Sequence, residues 1–433
     1  MTTNAPQPSA AIPRSAATGA AIRPRPCPVC GGVDRATVLH LHATPLGDLL
    51  CEQSSRAVGL PAYPLDLALC TSCGHLHLPS VVAPEESYSN YHFHTGASPG
   101  LAPSMRALAE ELWRTIEGRA GELVLDIGSN DGTWLAGFAA LGARVQGVEP
   151  AAGQAQRAAA AGVTTINDYF SASLAGALKD DGLRPRLITA NYVAANIPDV
   201  DDFFAGLRTI CPAEGRVALL TGYHPDQFAV AMFDYAYHEH VSYFTVRDVH
   251  NLCLRHGFRI DWARRVPLKG GSLLAVLAPE SAPEAPEHVR RMLQFEDWLG
   301  VRTHGYFAAL NARLATASER LHGLLTALGP SAAGMRTLPG YGMSHSVTTL
   351  VYQFELSEHL AFLVDDNPRR QGLFSPGLGL AVRDPSVLIT EQHPSCLVLA
   401  WQHDERIIER LRVSGWTGTA IIPLPDPHLI RIQ

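Results

Sequence analysis

The chain has 433 residues, 46% of them hydrophobic and 17% charged, with a formal net charge of -7. That length supports about two to four domains with ample core. Apolar runs all stop short of the roughly 18 residues a membrane-spanning helix needs, and scattered basic residues on an acidic chain exclude nucleic acid as a main partner.

Residues 1–26 are rich in Ala, Pro, Thr and Ser without an apolar core, which predicts a disordered tail, not a signal peptide, and hence a cytoplasmic protein. Four of the eight cysteines then form two knuckles, Cys27-Pro28-Val29-Cys30 before Gly31 and Cys70-Thr71-Ser72-Cys73 before Gly74. Each knuckle aims two thiolates at one ion, and the pair completes the four-sulfur tetrahedron that zinc favours. A full protein shell leaves no open position. Cys27, Cys30, Cys70 and Cys73 are therefore expected to hold a structural zinc ion that stabilises a small module over residues 27–82; disulfides or a redox pair are the rival. His75 and His77, alternating with leucines, are expected to face solvent or substrate.

A connector over residues 83–120 follows. Its first part, 85–97, is dense in Tyr, His and Phe, with Tyr91 as a candidate substrate contact or a packing residue, and a helix is predicted from Pro103 to Glu117. Residues 121–280 read as a cofactor domain. An apolar run at 123–127 predicts a buried strand, Gly128-Ser129-Asn130-Asp131-Gly132 a tight loop, Thr133 a helix start, and 144–148 a second strand ending on Glu149. Glu149 stands where such units place the carboxylate that accepts ribose hydroxyls. A dinucleotide fold would carry Gly-x-Gly-x-x-Gly with a phosphate on the helix N-terminus, and Asp131 would repel that phosphate. The acid suits a cation, which favours S-adenosylmethionine over NAD, with an ordinary glycine turn as the bland alternative. Asp126, Gly128, Ser129, Asn130, Asp131, Gly132, Glu149, Asp168 and Asn191 are the candidate cofactor residues; Asp168 equally suits a turn after a strand. Further apolar runs at 163–166, 187–190 and 217–220 extend a doubly wound sheet.

Residues 233–244, FDYAYHEHVSYF, carry the densest chemistry. Tyr237, His238, Glu239, His240 and Tyr243 are costly to place in a core and useful beside a substrate that needs proton transfer; a structural histidine network is the alternative. In an extended segment His238 and His240 would share one face while Glu239 points away. Lys269-Gly270-Gly271-Ser272 leads the next strand and suggests close backbone approach to a pocket. Residues 281–330 read as a helical linker, and 331–433 as a second Rossmann-like domain that opens at Gly340-Tyr341-Gly342 and includes Asp365-Asp366-Asn367-Pro368. The fold class is thus α/β throughout, with a cleft between two Rossmann-like halves.

The knuckles, residues 125–133, Gly147 to Pro150, Tyr237-His238-Glu239-His240, Gly270-Gly271-Ser272 and Asp365-Asp366-Asn367-Pro368 together resemble the sugar C-methyltransferase family over nearly the whole chain from Cys27. The resemblance implies a zinc-binding module, a central S-adenosylmethionine domain and a C-terminal Rossmann-like domain that helps hold a nucleotide-linked keto sugar. It implies His240 as the base that removes the proton beside the ketone, with Tyr237 and Glu239 orienting it or stabilising the enolate, in natural-product or polysaccharide biosynthesis. Substrate contacts are expected from Tyr91, His238, Tyr243, Lys269, Tyr341 and His345. Departures fall on the substrate side: the family's Tyr-x-Tyr reads Tyr91-His92-Phe93, a histidine reads Ser104, Asn-Asn-Val-x-Ala-His reads Asn191-Tyr192-Val193-Ala194-Ala195-Asn196, and an Ala and Lys-Gly pair after Gly342 is replaced by Met343-Ser344-His345-Ser346. The expected protein is a monomeric or homodimeric methyltransferase with a small-molecule acceptor and no nucleic-acid or membrane partner. The alternatives are a methyltransferase of a non-nucleotide acceptor, at carbon or a heteroatom, and a catalytically silent zinc-stabilised binding protein.

Overall fold

The computed structural model describes residues 22–83, 96, 101–280, 285–328 and 338–433. At the N-terminus β1 (Ile22–Pro24) pairs antiparallel with β5 (Ser80–Val82). Residues 22–24, expected as the end of a disordered tail, are therefore ordered, because β5 offers them an open edge. Strands β2 (Arg35–Leu39), β3 (Leu67–Cys70) and β4 (Leu76–His77) form an antiparallel sheet whose fourth strand comes from far along the chain: β11 (Ser242–Tyr243) pairs with β4. Arg25 fastens the same place by donating from Nη2 to Ser242 Oγ at 2.9 Å.

Helix α1 (Leu101–Thr115) leads to the central sheet. Its strands are β6 (Leu123–Ile127), β7 (Arg144–Val148), β8 (Thr164–Ile166), β9 (Leu187–Asn191), β10 (Arg216–Gly222), β12 (Arg259–Val266) and β13 (Ser272–Ala278), in the order β12-β13-β10-β9-β6-β7-β8. The first five run parallel, while β13 is antiparallel to β10 and to β12. The parallel strands read as near-continuous apolar runs because helices cover both faces. The chain reverses its winding between β6 and β9, the crevice where such sheets hold ligands outside the carboxyl ends of the strands. Helix α2 (Thr133–Ala139) starts directly after the β6 loop, and α3 (Val246–His256) is fixed by a capping box between Thr245 and Asp248.

The predicted helical linker is two helices, α4 (Glu287–Leu299) and α5 (His304–Ala327), separated where Gly300 takes a left-handed conformation. Leu310, Leu314, Leu321 and Leu325 of α5 share one continuous core with the N-terminal sheet and with the C-terminal one. The latter orders β16 (Val382–Arg383), β15 (Leu360–Val364), β14 (Leu338–Tyr341), β17 (Ser395–Val398), β18 (Gly418–Ile422) and β19 (His428–Ile432), parallel except for β19. Its first crossover helix, α6 (His345–Gln353), begins just beyond β14.

Candidate functional site

Four residues gather where β6, β7 and β9 end. Asp126 is buried at the end of β6, where its Oδ1 accepts from Thr189 Oγ1 at 2.6 Å and from Asn191 Nδ2 at 3.4 Å. Thr189 in turn accepts from Trp134 Nε1 at 3.2 Å. Glu149, at the end of β7, takes the backbone N–H of Asn130 at 2.9 Å and of Ala151 at 2.8 Å. Burial pushes the Asp126 carboxyl up to about 8, eased by Thr189 and reinforced by the nearby Glu149 charge; burial also raises Glu149. Among the described residues no cationic side chain pairs with either buried acid, a setting that suits a positive ligand.

The loop between them fits that ligand. Gly128 has φ +68°, and a Cβ there would lie 2.4 Å from Val193 Cγ2, so the backbone can pass only without a side chain. Ser129 Oγ is buried with no hydrogen-bond partner among the described residues, an open donor and acceptor in the crevice. Asp131 is already engaged within the protein. Its Oδ1 accepts from Thr133 N and Oγ1, and its Oδ2 from Gly96 N at 2.8 Å, so it ties the start of α2 to Gly96. Asp168 is exposed after β8, with Oδ1 on the Tyr169 N–H.

The second cluster is the 237–240 segment. It is a turn closed by the His240 N–H on Tyr237 O at 2.9 Å, so the extended arrangement expected from the sequence does not hold, and the two histidines diverge. His238 lies against Tyr63 of the N-terminal module, Nε2 at 3.2 Å from its carbonyl oxygen, with burial pushing the ring down to about 4. His240 stacks on Tyr237 at 4.0 Å between ring centroids. Its Nδ1 lies 3.2 Å from Tyr235 O, an acceptor only, which fixes the proton on Nδ1 and leaves Nε2 as the acceptor of the Tyr237 hydroxyl at 2.7 Å. Burial first, and the Lys269 charge second, push His240 down to about 3, so the ring is neutral at physiological pH.

Glu239 is buried, with Oε1 3.6 Å from His345 Nε2 at the start of α6 and Oε2 without a hydrogen-bond partner among the described residues. Burial raises its carboxyl and the His345 charge opposes the rise. The His345 ring also lies 4.9 Å from that of Tyr237. The C-terminal domain thus reaches the 237–240 turn through His345. Tyr243 is buried in β11, and the Tyr341 hydroxyl donates to Asp366 Oδ1 at 2.7 Å within the C-terminal domain. Tyr91 lies outside the described residues.

Sequence reasoning missed Tyr192. Lys269 Nζ sits 3.7 Å from its ring centroid, and the Tyr192 hydroxyl lies 3.0 Å from Ser272 Oγ. It also missed Tyr235, which acts through a backbone oxygen and leaves no residue-type signal.

The four knuckle sulfurs lie within 4.8 Å of one another, with Cys27 to Cys73 at 3.6 Å and Cys30 to Cys70 at 3.5 Å. Zinc–sulfur bonds of about 2.3 Å need sulfur separations of roughly 3.8 Å, so the cage fits a structural zinc ion. Neither His75 nor His77 faces solvent, contrary to expectation. His75 is 3.3 Å from Asp248 Oδ1 and His77 Nδ1 bonds Leu78 O at 2.9 Å, because β11 and α3 cover β4.

Family comparison matches this architecture in three consecutive pieces. A putative zinc binding domain matches residues 27–88, a methyltransferase domain 102–261, and the C-methyltransferase C-terminal domain 267–425. The C-methyltransferase NovU of Streptomyces niveus is 28% identical over 414 residues, 94% of this chain and 97% of that protein. Among solved structures, the magnesium protoporphyrin IX methyltransferase of Synechocystis PCC 6803 with bound SAM is 15% identical over 41% of this chain and 78% of its own, at a TM-score of 0.32. The geranyl diphosphate C-methyltransferase of Streptomyces coelicolor A3(2) is likewise 15% identical, over 44% and 93%, at 0.33. The chain is an S-adenosylmethionine-dependent methyltransferase with a structural zinc site, in which a zinc-binding domain, a methyltransferase domain and a C-methyltransferase C-terminal domain follow one another.

Proposed function

We propose that the chain methylates the carbon next to a ketone on a nucleotide-linked keto-deoxy sugar, through an enolate that His240 generates. The observation that carries this reading is the Tyr237–His240 pair, in which Nδ1 is tied to Tyr235 O and Nε2 already holds a hydroxyl proton at 2.7 Å. That hydroxyl marks where a transferable proton sits. When substrate takes the place of the Tyr237 proton, the C–H bond breaks, its proton passes to Nε2, and the electron pair moves into the enolate. An imidazole held near 3 is a weak base in isolation; an imidazolium formed opposite an enolate gains the opposite charge that burial denies it. S-adenosylmethionine, when bound near Asp126, Ser129, Glu149 and Asn191, supplies the electrophilic methyl group. Glu239 Oε2 is a ready acceptor for a sugar hydroxyl.

Transfer of label from S-adenosyl-[methyl-13C]methionine to a panel of nucleoside-diphosphate keto sugars, followed by mass spectrometry and NMR, tests the reading. A one-methyl gain on the carbon beside the ketone is expected; gain on oxygen or nitrogen, or on none of the panel, would refute it. A second reading, a non-nucleotide acceptor, is favoured by His345. Its imidazole, a donor in the altered loop that could meet a phosphate, is turned toward Glu239 instead. Calorimetry with thymidine or uridine diphosphate separates the two, since the second predicts no binding.

A further inference from the structure

Lys269 and Tyr192 meet beside the end of β9, the Lys269 ammonium 3.7 Å from the Tyr192 ring centroid. Tyr192 directly follows Asn191 at the end of β9, and the Lys269 charge acts on His240. Both residues are non-glycine yet have positive φ, +56° for Tyr192 and +48° for Lys269. Such conformations are unfavourable for L-residues and persist where surrounding contacts impose them, most often at functional sites.

Here the contacts are explicit. The Lys269 carbonyl accepts from Gln227 Nε2 at 3.1 Å, and Gly270 and Gly271 press against Met232 and Asp226 so closely that a Cβ would fall 2.0 Å from Met232 Sδ and 2.4 Å from Asp226 Cβ. On the other side the Tyr192 hydroxyl donates to Ser272 Oγ, which itself donates to Leu268 O at 2.8 Å. The protein therefore holds two unfavourable backbone conformations in order to set one ammonium 3.7 Å above one ring. A cation fixed on a ring face in a half-buried site is preorganised for an anion that develops beside it.

We propose that the Lys269 ammonium is a catalytic residue that stabilises the enolate oxygen created when His240 takes the substrate proton; this rests on the enolate reading above. No further reactant enters the balance. The C–H electron pair ends on the ketone oxygen, the proton ends on His240 Nε2, and Lys269 keeps its own proton while donating a hydrogen bond to that oxygen.

The same ammonium opposes protonation of His240, which gives the test its direction. If Lys269 only depresses the histidine, removing its charge makes His240 a stronger base and speeds proton abstraction. If it stabilises the oxyanion, removal slows it. The readout is deuterium uptake from D2O at the carbon beside the ketone of a nucleoside-diphosphate-linked 4-keto-6-deoxyhexose. It is followed by NMR with S-adenosylhomocysteine in place of the methyl donor, above the uncatalysed background. Lys269→Met is expected to slow uptake about 10²- to 10³-fold with melting temperature and S-adenosylhomocysteine affinity retained. K269Q, uncharged and of similar length, is read in parallel so that a folding defect peculiar to one variant does not decide the outcome. Uptake as fast as wild type or faster in the folded variants would overturn the proposal alone. No uptake by the wild-type enzyme, or undiminished uptake in His240→Ala, would overturn the enolate reading and this proposal with it.

Discussion

At the scale of single residues, the Tyr237–His240 pair makes the sharpest claims. Removing the imidazole in His240→Ala should lower methyl transfer by about 10²- to 10⁴-fold, the usual reach of general base catalysis, while cofactor affinity measured by calorimetry stays put. Tyr237→Phe keeps the ring stacking and loses only the hydroxyl, so a smaller loss is expected. Asp126 makes a claim about protons. Its carboxyl is held near 8, well above an unfolded aspartate, so at neutral pH much of it is protonated in the free protein. A cationic ligand favours the carboxylate and must expel that proton. Affinity for S-adenosylmethionine should therefore rise as pH increases from about 6 to 8 and level off above, with proton release visible as a buffer-dependent binding enthalpy. Asp126→Asn should abolish the buffer dependence.

Among the elements, the β6 loop is the least tolerant. Gly128→Ala adds a Cβ 2.4 Å from Val193 at a φ that L-residues avoid, so the loop must move and cofactor affinity should fall at least tenfold. The loop was legible because its chemistry is local: an apolar strand, a glycine turn, a helix start and an acid one strand later. The cysteine knuckles were legible for the same reason. The 237–240 turn was not, since Tyr, His and Glu carry no turn signal, and the Tyr237 O to His240 N bond that closes it leaves no mark in residue type. His75 and His77 were misplaced because alternation identifies a strand but not what covers it. Here the cover is Asp248 and Ser242–Tyr243, more than a hundred residues away. Tyr192 escaped for a further reason: positive φ at a non-glycine residue is imposed by tertiary contacts, and composition does not encode it.

Across the whole molecule, the domains are tied by buried polar links as well as by the shared core around α5. Asp234, just ahead of the 237–240 turn, accepts from Trp401 Nε1 at 2.9 Å and Gln402 Nε2 at 2.6 Å. Asp234→Ala leaves the buried Trp401 donor unsatisfied, which should cost about 1–3 kcal/mol by denaturant unfolding and loosen the C-terminal domain against the turn. Zinc acts at a similar distance. Cys73→Ser should lose the metal by native mass spectrometry and most methyl transfer with it, because the second knuckle joins β3 to β4, β4 carries β11, and β11 follows directly on the turn that holds His240. The pairing of β4 with β11 also bears on how the chain is made. The N-terminal sheet is translated early, yet its last strand is Ser242–Tyr243, roughly 165 residues later, on the order of 10 to 30 s of synthesis. Until then β4 presents an unpaired edge and His75 lacks its acid. The nascent N-terminal module is a natural client for chaperones, and slow codons placed before residue 243 should lower soluble yield more than the same codons placed after it.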